Sequence, residues 1–307
     1  MRPLLPLSIL LLLGACTSPE VSTGEEPPAA PVDGGVIDQA APRPDGAIDL
    51  ARRDDSAVAV DLAQGAPDLA TPPGPPGKLA PGASTRQLTV AGKGRSILVY
   101  APQAVAQRPL PLVIALHGNG DSAQNFVAAL GLGKLAESGG FIVAAPQGIT
   151  QSFTVFGRPV NGVDWDAYRS VADGNIDLPL LEALRADLGA TGSIDERRVV
   201  VFGYSQGGYL SFRYGLEAAG RLACAAVAGA ANPLPGSPLV AGAARKIPFA
   251  IQIGTGDFAI QNARQSRDEL TMRGHPVWYR EINGAGHVPF PGNPAEPIDY
   301  CRQQALP

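Results

Sequence analysis

Aromatic residues are missing from the first third of the chain: none precedes Tyr100, although the sequence includes nine Phe, seven Tyr and two Trp. A segment without aromatic side chains lacks the large apolar groups that usually fill a core, so we expect no globular domain there. The three cysteines are too few for a disulfide-scaffolded protein or a multi-cysteine metal site. No block of Lys or Arg is present, which argues against a nucleic acid partner. The remaining part, roughly 220 residues, suits one domain.

The chain begins with a short apolar segment. Residues 4–13 follow Arg2 and are too few to span a bilayer, which needs about 20 apolar residues, but they suit the core of a signal peptide. Gly14 and Ala15 precede Cys16, which resembles a bacterial lipobox; the resemblance implies cleavage before Cys16 and a lipid on its sulfur. An ordinary signal peptide with an incidental Cys16 is the alternative. We therefore expect a lipoprotein signal peptide over residues 1–15 and an exported protein anchored by lipid at the bacterial cell envelope, with the outer membrane or cell surface as candidate locations.

The segment after Cys16 is rich in proline and acidic residues. Residues 17–83 hold 12 of the 30 prolines, with 11 acidic and 4 basic side chains. Low hydrophobicity and negative charge predict a disordered linker over residues 16–83, which would tether a folded domain over residues 84–307. The alternative is a binding segment that uses the repeated Asp-Leu-Ala at Asp49, Asp61 and Asp68.

From residue 84 onward, short apolar runs alternate with segments of helical spacing. Continuous apolar runs, such as residues 112–116 and 198–202, are typical of strands buried on both faces of a sheet. The predicted strands are residues 87–90, 96–100, 112–116, 141–145, 198–202, 224–228, 249–253 and 277–282, and the predicted helices are 122–138, 176–188, 206–219, 260–273 and 296–305. This alternation predicts a mostly parallel eight-stranded sheet with helices on both faces. Ligands bind such sheets beyond the carboxyl ends of the strands.

A Gly-x-Ser-x-Gly sequence lies where a buried strand passes directly into a helix. The motif is Gly203-Tyr204-Ser205-Gln206-Gly207. Such a turn holds its serine strained and exposed, which suits a nucleophile. The alternative is a structural serine in a glycine-rich turn. We predict that Ser205 is the nucleophile.

A serine nucleophile needs a histidine base, and the chain offers three. His275 precedes the last strand, on the wrong side of the sheet. His117 follows the third strand, in a loop better suited to donating backbone N–H groups. His287 follows the last strand on the correct side, and we predict that it is the base.

The carboxylate that orients the base should follow another strand. Asp257 follows residues 249–253, whereas its nearest competitors, Asp268 and Glu269, lie in a predicted helix. The order Ser205, Asp257, His287 then gives a Ser–Asp–His triad.

Two backbone N–H groups should hold the oxyanion that develops on the substrate. We predict the N–H of Gln206, directly after the nucleophile, and that of Asn119, in the loop after the third strand. We predict that substrate contacts His117, Trp165 and Tyr204. Trp165 lies in an aromatic-bearing insertion over residues 147–174, which could form a wall of the substrate pocket or, alternatively, a satellite core. No residue spacing suggests a metal, and serine hydrolysis needs no cofactor.

Four motifs occur in the order and spacing of the α/β-hydrolase fold: Leu116-His117-Gly118, Gly203 to Gly208, Gly254-Thr255-Gly256-Asp257 and Gly284-Ala285-Gly286-His287. Within that fold the chain resembles the esterases grouped with polyhydroxybutyrate depolymerases and feruloyl or acetyl xylan esterases, over about residues 95–292. Gln206-Gly207-Gly208 is more similar to the phospholipase/carboxylesterase and acyl-protein thioesterase group. Residues 229–246 are too short and too rich in Gly and Pro for a large helical lid.

These observations predict an exported serine esterase acting through an acyl-enzyme on small-molecule or polymer-borne esters of the short acyl, feruloyl/acetyl or hydroxyalkanoate type. The alternatives are an aliphatic carboxylesterase or acyl-thioesterase, and an inactive surface binding module. The oligomeric state, and whether Cys224 and Cys301 form a disulfide, stay open.

Overall fold

The computed structural model describes residues 77–155 and 157–307, and its centre is an eight-stranded sheet. The strands are β1 Gly82–Val90, β2 Lys93–Ala101, β3 Leu110–Leu116, β4 Ile142–Pro146, β5 Gln151–Val155, β6 Arg158–Val163, β7 Ile194–Tyr204, β8 Cys224–Ala228, β9 Phe249–Gly254 and β10 Val277–Ile282. The order of strands in the sheet is β1-β2-β4-β3-β7-β8-β9-β10. The helices are α1 Ala123–Ala129, α2 Leu132–Gly139, α3 Asp177–Gly189, α4 Gln206–Glu217, α5 Ile260–Met272 and α6 Ala295–Arg302, with a 3₁₀ turn at Gln103–Ala106.

Strands β3, β4 and β7 to β10 pair in parallel, whereas β1 and β2 are antiparallel. The sheet is buried on both faces because alternate side chains of its central strands enter different cores. In β3, Ile114 joins the core beneath α3, α4 and α5, while its neighbour Val113 joins the core beneath α1, α2 and α6. The predicted α/β-hydrolase architecture, with a mostly parallel eight-stranded sheet and helices on both faces, is therefore confirmed.

Two predicted segments differ from the structure. The single helix expected over residues 122–138 is broken between α1 and α2 at Gly131, whose φ of 60° is left-handed and interrupts the helix. The insertion over residues 147–174, in which no strand was predicted, contains the antiparallel hairpin of β5 and β6. Residues 229–246 form turns and irregular backbone without a helix.

The last helix is fastened to the centre of the sheet. Cys224, in β8, and Cys301, in α6, form a disulfide across 77 residues of sequence. Phe290, in the segment before α6, stacks on Phe202 of β7 with ring centroids 3.9 Å apart. The sequence left open whether Cys224 and Cys301 are bonded, and the structure shows that they are.

The first residues that the structure describes are bound to the rest of the domain. The Leu79 N–H donates to Ser193 Oγ at 2.8 Å, and β1 begins at Gly82. The predicted signal peptide, Cys16 and the linker up to residue 76 lie outside the described residues. Among the residues described, no helix is both long and apolar enough to cross a membrane.

Candidate active site

The site lies at the carboxyl edge of the sheet, where β3 and β7 end next to each other, as do β9 and β10, with β8 between the two pairs. Each strand of the two pairs is followed by one of the predicted site residues: Asn119, Ser205, Asp257 and His287 respectively. The parallel pairing brings them together although they are spread over much of the chain.

Ser205 occupies the turn between β7 and α4 in a strained conformation, with φ of 52° and ψ of −119°. A non-glycine residue with positive φ costs free energy and persists only where its surroundings impose it. The Ser205 N–H donates to the Ala228 carbonyl at 2.9 Å, and its own carbonyl accepts the Tyr209 N–H at 2.9 Å. The turn is therefore held at both ends, and the side chain stays partly exposed.

The glycines around Ser205 allow this turn to pack tightly. A Cβ at Gly207 would overlap the carbonyl oxygens of Leu116 and His117, and a Cβ at Gly203 would overlap the Gly207 carbonyl. Only glycine lets the start of α4 approach the end of β3 so closely. This contact places the residue after the nucleophile beside the loop that begins at His117.

Ser205, His287 and Asp257 form a continuous hydrogen-bonded chain. His287 Nε2 lies 2.9 Å from Ser205 Oγ, and His287 Nδ1 lies 2.9 Å from Asp257 Oδ2. Because an ionised carboxylate only accepts hydrogen bonds, Nδ1 carries the ring proton and Nε2 is free to accept the serine proton. The other oxygen of Asp257 accepts the Ala259 N–H at 2.8 Å, and the carboxylate side chain is only 1% exposed. The structure thus brings the three predicted residues into the geometry of a Ser–His–Asp triad.

The loops that carry Asp257 and His287 are fastened to each other. The Gly256 N–H donates to the Ala285 carbonyl at 2.8 Å, and the Gly284 N–H donates to Thr255 Oγ1 at 2.9 Å. A Cβ at Gly254 would overlap the same Ala285 carbonyl, which explains the glycine-rich sequence here. The distance between base and carboxylate is therefore set by backbone contacts.

The two predicted oxyanion donors are Gln206, directly after the nucleophile, and Asn119, whose neighbour Gly118 lies so close to the nucleophile that an added Cβ there would be 3.5 Å from Ser205 Cβ. Gln206 is the first residue of α4, where helix N–H groups have no partner within the helix, and no residue in the described part of the chain accepts its N–H. The Asn119 N–H is likewise without an acceptor there, and Asn119 is exposed. The Gln206 side chain instead points to the insertion, donating from Nε2 to the Trp165 carbonyl at 2.6 Å.

Two predicted substrate contacts lie beneath the site. His117 and Trp165 are both 0% exposed. His117 Nε2 accepts the Gly148 N–H at 3.0 Å, and Trp165 Nε1 donates to the His117 carbonyl at 2.9 Å. Burial lowers the pKa of the His117 imidazole and favours its neutral form. A side chain without exposed surface cannot touch substrate, so the prediction of direct contact is corrected: these residues support the loop after β3.

Two aromatic rings contact the His287 imidazole. The third predicted substrate contact, Tyr204, is partly exposed; its ring centroid lies 5.0 Å from that of His287, and its hydroxyl donates to the His287 carbonyl at 2.9 Å. Burial, followed by the charge of Asp257, raises the pKa of the Tyr204 phenol. Phe258 is 74% exposed, and its ring centroid lies 4.3 Å from that of His287. The sequence interpretation missed Phe258, although its position directly after Asp257 was a signal for it.

Solved structures share the fold described above. A ferulic acid esterase matches with a TM-score of 0.53 and 15% identity, over 67% of this chain and 91% of that protein. The S-formylglutathione hydrolase FrmB of Staphylococcus aureus matches with a TM-score of 0.54 and 16% identity, over 67% of this chain and 92% of FrmB. These likenesses place the chain in the α/β-hydrolase fold.

Sequence comparison gives the family. The model of the phospholipase/carboxylesterase family matches residues 101–270, and the chain belongs to that family. NocK of Nocardia uniformis subsp. tsuyamanensis, which carries an esterase designation, is 26% identical over 176 residues, covering 57% of this chain and 48% of NocK. The bifunctional acetylxylan esterase/xylanase XynS20E of Neocallimastix patriciarum is 28% identical over 166 residues, covering 54% of this chain and 22% of XynS20E. The chain thus spans about half of one curated relative and less than a quarter of the other.

Proposed function

We propose that this chain is an exported serine esterase that hydrolyses carboxylic esters through an acyl-enzyme. The observation that carries the proposal is the hydrogen-bonded chain from Asp257 through His287 to Ser205, with both contacts 2.9 Å long. Membership of the phospholipase/carboxylesterase family supports an ester bond as the target.

In the proposed reaction, Ser205 Oγ attacks the ester carbonyl carbon while His287 Nε2 takes the serine proton. Asp257 orients the imidazole and stabilises the imidazolium that forms. The N–H groups of Gln206 and Asn119 hold the negative carbonyl oxygen. The C–O bond to the alcohol then breaks, His287 protonates the departing alcohol, and the acyl group stays on Ser205. A water molecule activated by His287 repeats the attack and releases the acid.

The substrates that we propose are small-molecule or polymer-borne esters of short acyl, feruloyl, acetyl or hydroxyalkanoate groups. Residues 229–246 contain no helix that would cover the site, which suits substrates that arrive on a polymer. A second candidate is an aliphatic carboxylesterase or acyl-thioesterase. The family match and Gln206-Gly207-Gly208 favour that alternative.

The test is hydrolysis by the full chain of p-nitrophenyl esters from acetate to dodecanoate and of methyl ferulate. We expect Ser205→Ala to lower kcat on the order of 10⁵–10⁶-fold, as removal of a triad serine does elsewhere. A preference for acetate or ferulate supports the proposed substrates, whereas a medium-chain optimum supports the second candidate. The control is Ser138→Ala, an exposed serine of α2, which should retain wild-type rates. Turnover no faster than that of Ser205→Ala on every ester would leave a surface binding module as the remaining interpretation.

Export and lipid anchoring rest on the sequence before residue 77. We propose that cleavage before Cys16 leaves a lipidated cysteine, which holds the enzyme at the cell envelope. In a bacterial host, the wild-type protein should sediment with membranes, and Cys16→Ser should appear in the soluble fraction. Equal sedimentation of the two proteins would contradict anchoring through Cys16.

A further inference from the structure

The loop after β3, residues 117–120, is held by contacts from the insertion. Asp164 Oδ2 accepts the Gly120 N–H at 2.7 Å, and the Asp164 N–H donates to Asn119 Oδ1 at 3.0 Å. One residue of the insertion therefore holds both the side chain of Asn119 and the backbone of its neighbour. With Asp164 only 6% exposed, water competes little for these hydrogen bonds.

Trp165 extends this contact to the nucleophile turn. Its indole N–H donates to the His117 carbonyl at 2.9 Å, and its own carbonyl accepts the Gln206 side chain at 2.6 Å. The same residue thus touches the loop that carries Asn119 and the residue that supplies the other proposed oxyanion donor. The two donors come from separate parts of the chain, and Trp165 joins them.

A buried ion pair fixes the insertion to the core. Arg95 and Asp177 form an ion pair of 2.9 Å, with side chains 1% and 0% exposed. The second oxygen of Asp177 accepts the N–H of Asp166, the residue directly after Trp165, at 2.7 Å. The Arg95 guanidinium also lies 5.6 Å from the Trp165 ring centroid. Breaking a buried pair of this kind is costly, so the support beneath the loop is rigid.

We propose that Asp164 and Trp165 are positioning residues that set the geometry of the oxyanion-binding N–H groups of Asn119 and Gln206. This inference rests on the proposed function. An oxyanion donor acts only when it is aimed, in advance, at the place where charge develops. With 6% and 0% of their surfaces exposed, Asp164 and Trp165 would hold the two donors in register rather than bind the substrate. Their loss should therefore weaken binding of the transition state more than binding of the ester.

The experiment measures kcat and KM for p-nitrophenyl acetate and inhibition by phenylboronic acid, which forms a tetrahedral adduct on an active serine. Rates are divided by the number of active sites, titrated from the burst of p-nitrophenol. We expect Asp164→Ala to lower kcat by about 10- to 100-fold, less than the loss of a whole donor, with KM within about threefold. Inhibition by phenylboronic acid should weaken in parallel. Trp165→Phe, which loses only the indole N–H and some volume, should lower kcat by about 10-fold.

Two variants separate positioning from folding. Asp164→Asn keeps an acceptor for the Gly120 N–H and should keep kcat within about threefold of wild type. Thr150→Val removes the other partner of the Asp164 carboxylate, a contact of 3.4 Å, and should leave kcat unchanged. The inference is overturned if Asp164→Ala and Trp165→Phe keep wild-type kcat per active site, or lose only active sites. A wild-type rate that does not depend on Ser205 would overturn the proposed function as well, which distinguishes the two failures.

Discussion

Removing the bond between Cys224 and Cys301 should destabilise the domain by an amount that the structure allows us to work out. The bond joins the central strand β8 to the terminal helix α6, and both sulfurs are in residues that are 0% exposed. Since the segment with His287 runs between β10 and α6, this bond also closes the part of the chain that carries the proposed base.

The magnitude follows from the length of the closed loop. For the 77-residue separation, the chain-entropy model gives a loss of about 15 cal/mol/K in the unfolded state, or about 4.5 kcal/mol at 25 °C. Measured values for native disulfides fall at roughly 2–5 kcal/mol. With a urea dependence of about 3 kcal/mol/M, the midpoint of unfolding should fall by about 1.5 M at the full value.

The assay is urea unfolding of oxidised and reduced protein, with Cys16→Ser in every sample so that only one pair can be oxidised. Reduction isolates the effect of the crosslink, and Cys224→Ala/Cys301→Ala adds the loss of two buried sulfur atoms. The urea midpoint of unfolding of the double variant should not change when reductant is added. A midpoint that is the same before and after reduction in the protein with both cysteines would refute the loop-entropy reasoning.

Two further predictions concern the site and the pH dependence of stability. Phe258→Ala should raise KM for methyl ferulate about 2- to 12-fold relative to KM for p-nitrophenyl acetate, because aromatic stacking is worth about 0.5–1.5 kcal/mol. The control is Met272→Ala, which changes a side chain of α5 that is 82% exposed. Equal effects of Phe258→Ala on both esters would contradict stacking. Burial lowers the pKa of His275 and of His117 in the folded protein, so below about pH 6.5 the unfolded state binds more protons and the free energy of unfolding should fall as pH falls. His275→Gln should make the free energy of unfolding fall less between pH 7 and pH 5. Urea titrations that give the variant and the wild type the same pH dependence of this free energy would contradict the prediction.

The elements that could be predicted from the sequence share one property: they are buried runs with few structural options. The strand Cys224–Ala228 is apolar throughout and ends where the pattern places it. The triad followed from the rule that ligands meet the carboxyl ends of parallel strands, which selected His287 over His275 before any distance was known. In the structure, His275 packs at the other end of the last strand, with Nδ1 3.0 Å from the Ile247 carbonyl.

What could not be predicted depends on contacts between distant segments. The β5–β6 hairpin is half exposed, so its side chains lack the continuous apolar run that indicates a buried strand. In the sequence, Trp165 is an aromatic residue in a long insertion, and such a residue could form a pocket wall or belong to a core. Its indole lies under the loop after β3 because Asp166 and Asp177 fix the backbone beside it, and spacing along the chain contains no trace of that contact.

Gln206 illustrates how such a contact changes a functional argument. As a sequence feature, a glutamine after the nucleophile pointed to aliphatic acyl substrates. In the structure, Gln206 is 8% exposed and its amide is bonded to the Trp165 carbonyl. A side chain engaged in holding two loops together has little surface left for discriminating acyl groups. On the proposed function, selectivity would then depend on side chains that remain exposed near His287, such as Phe258, and stacking on that ring would favour a flat aryl group over an extended chain.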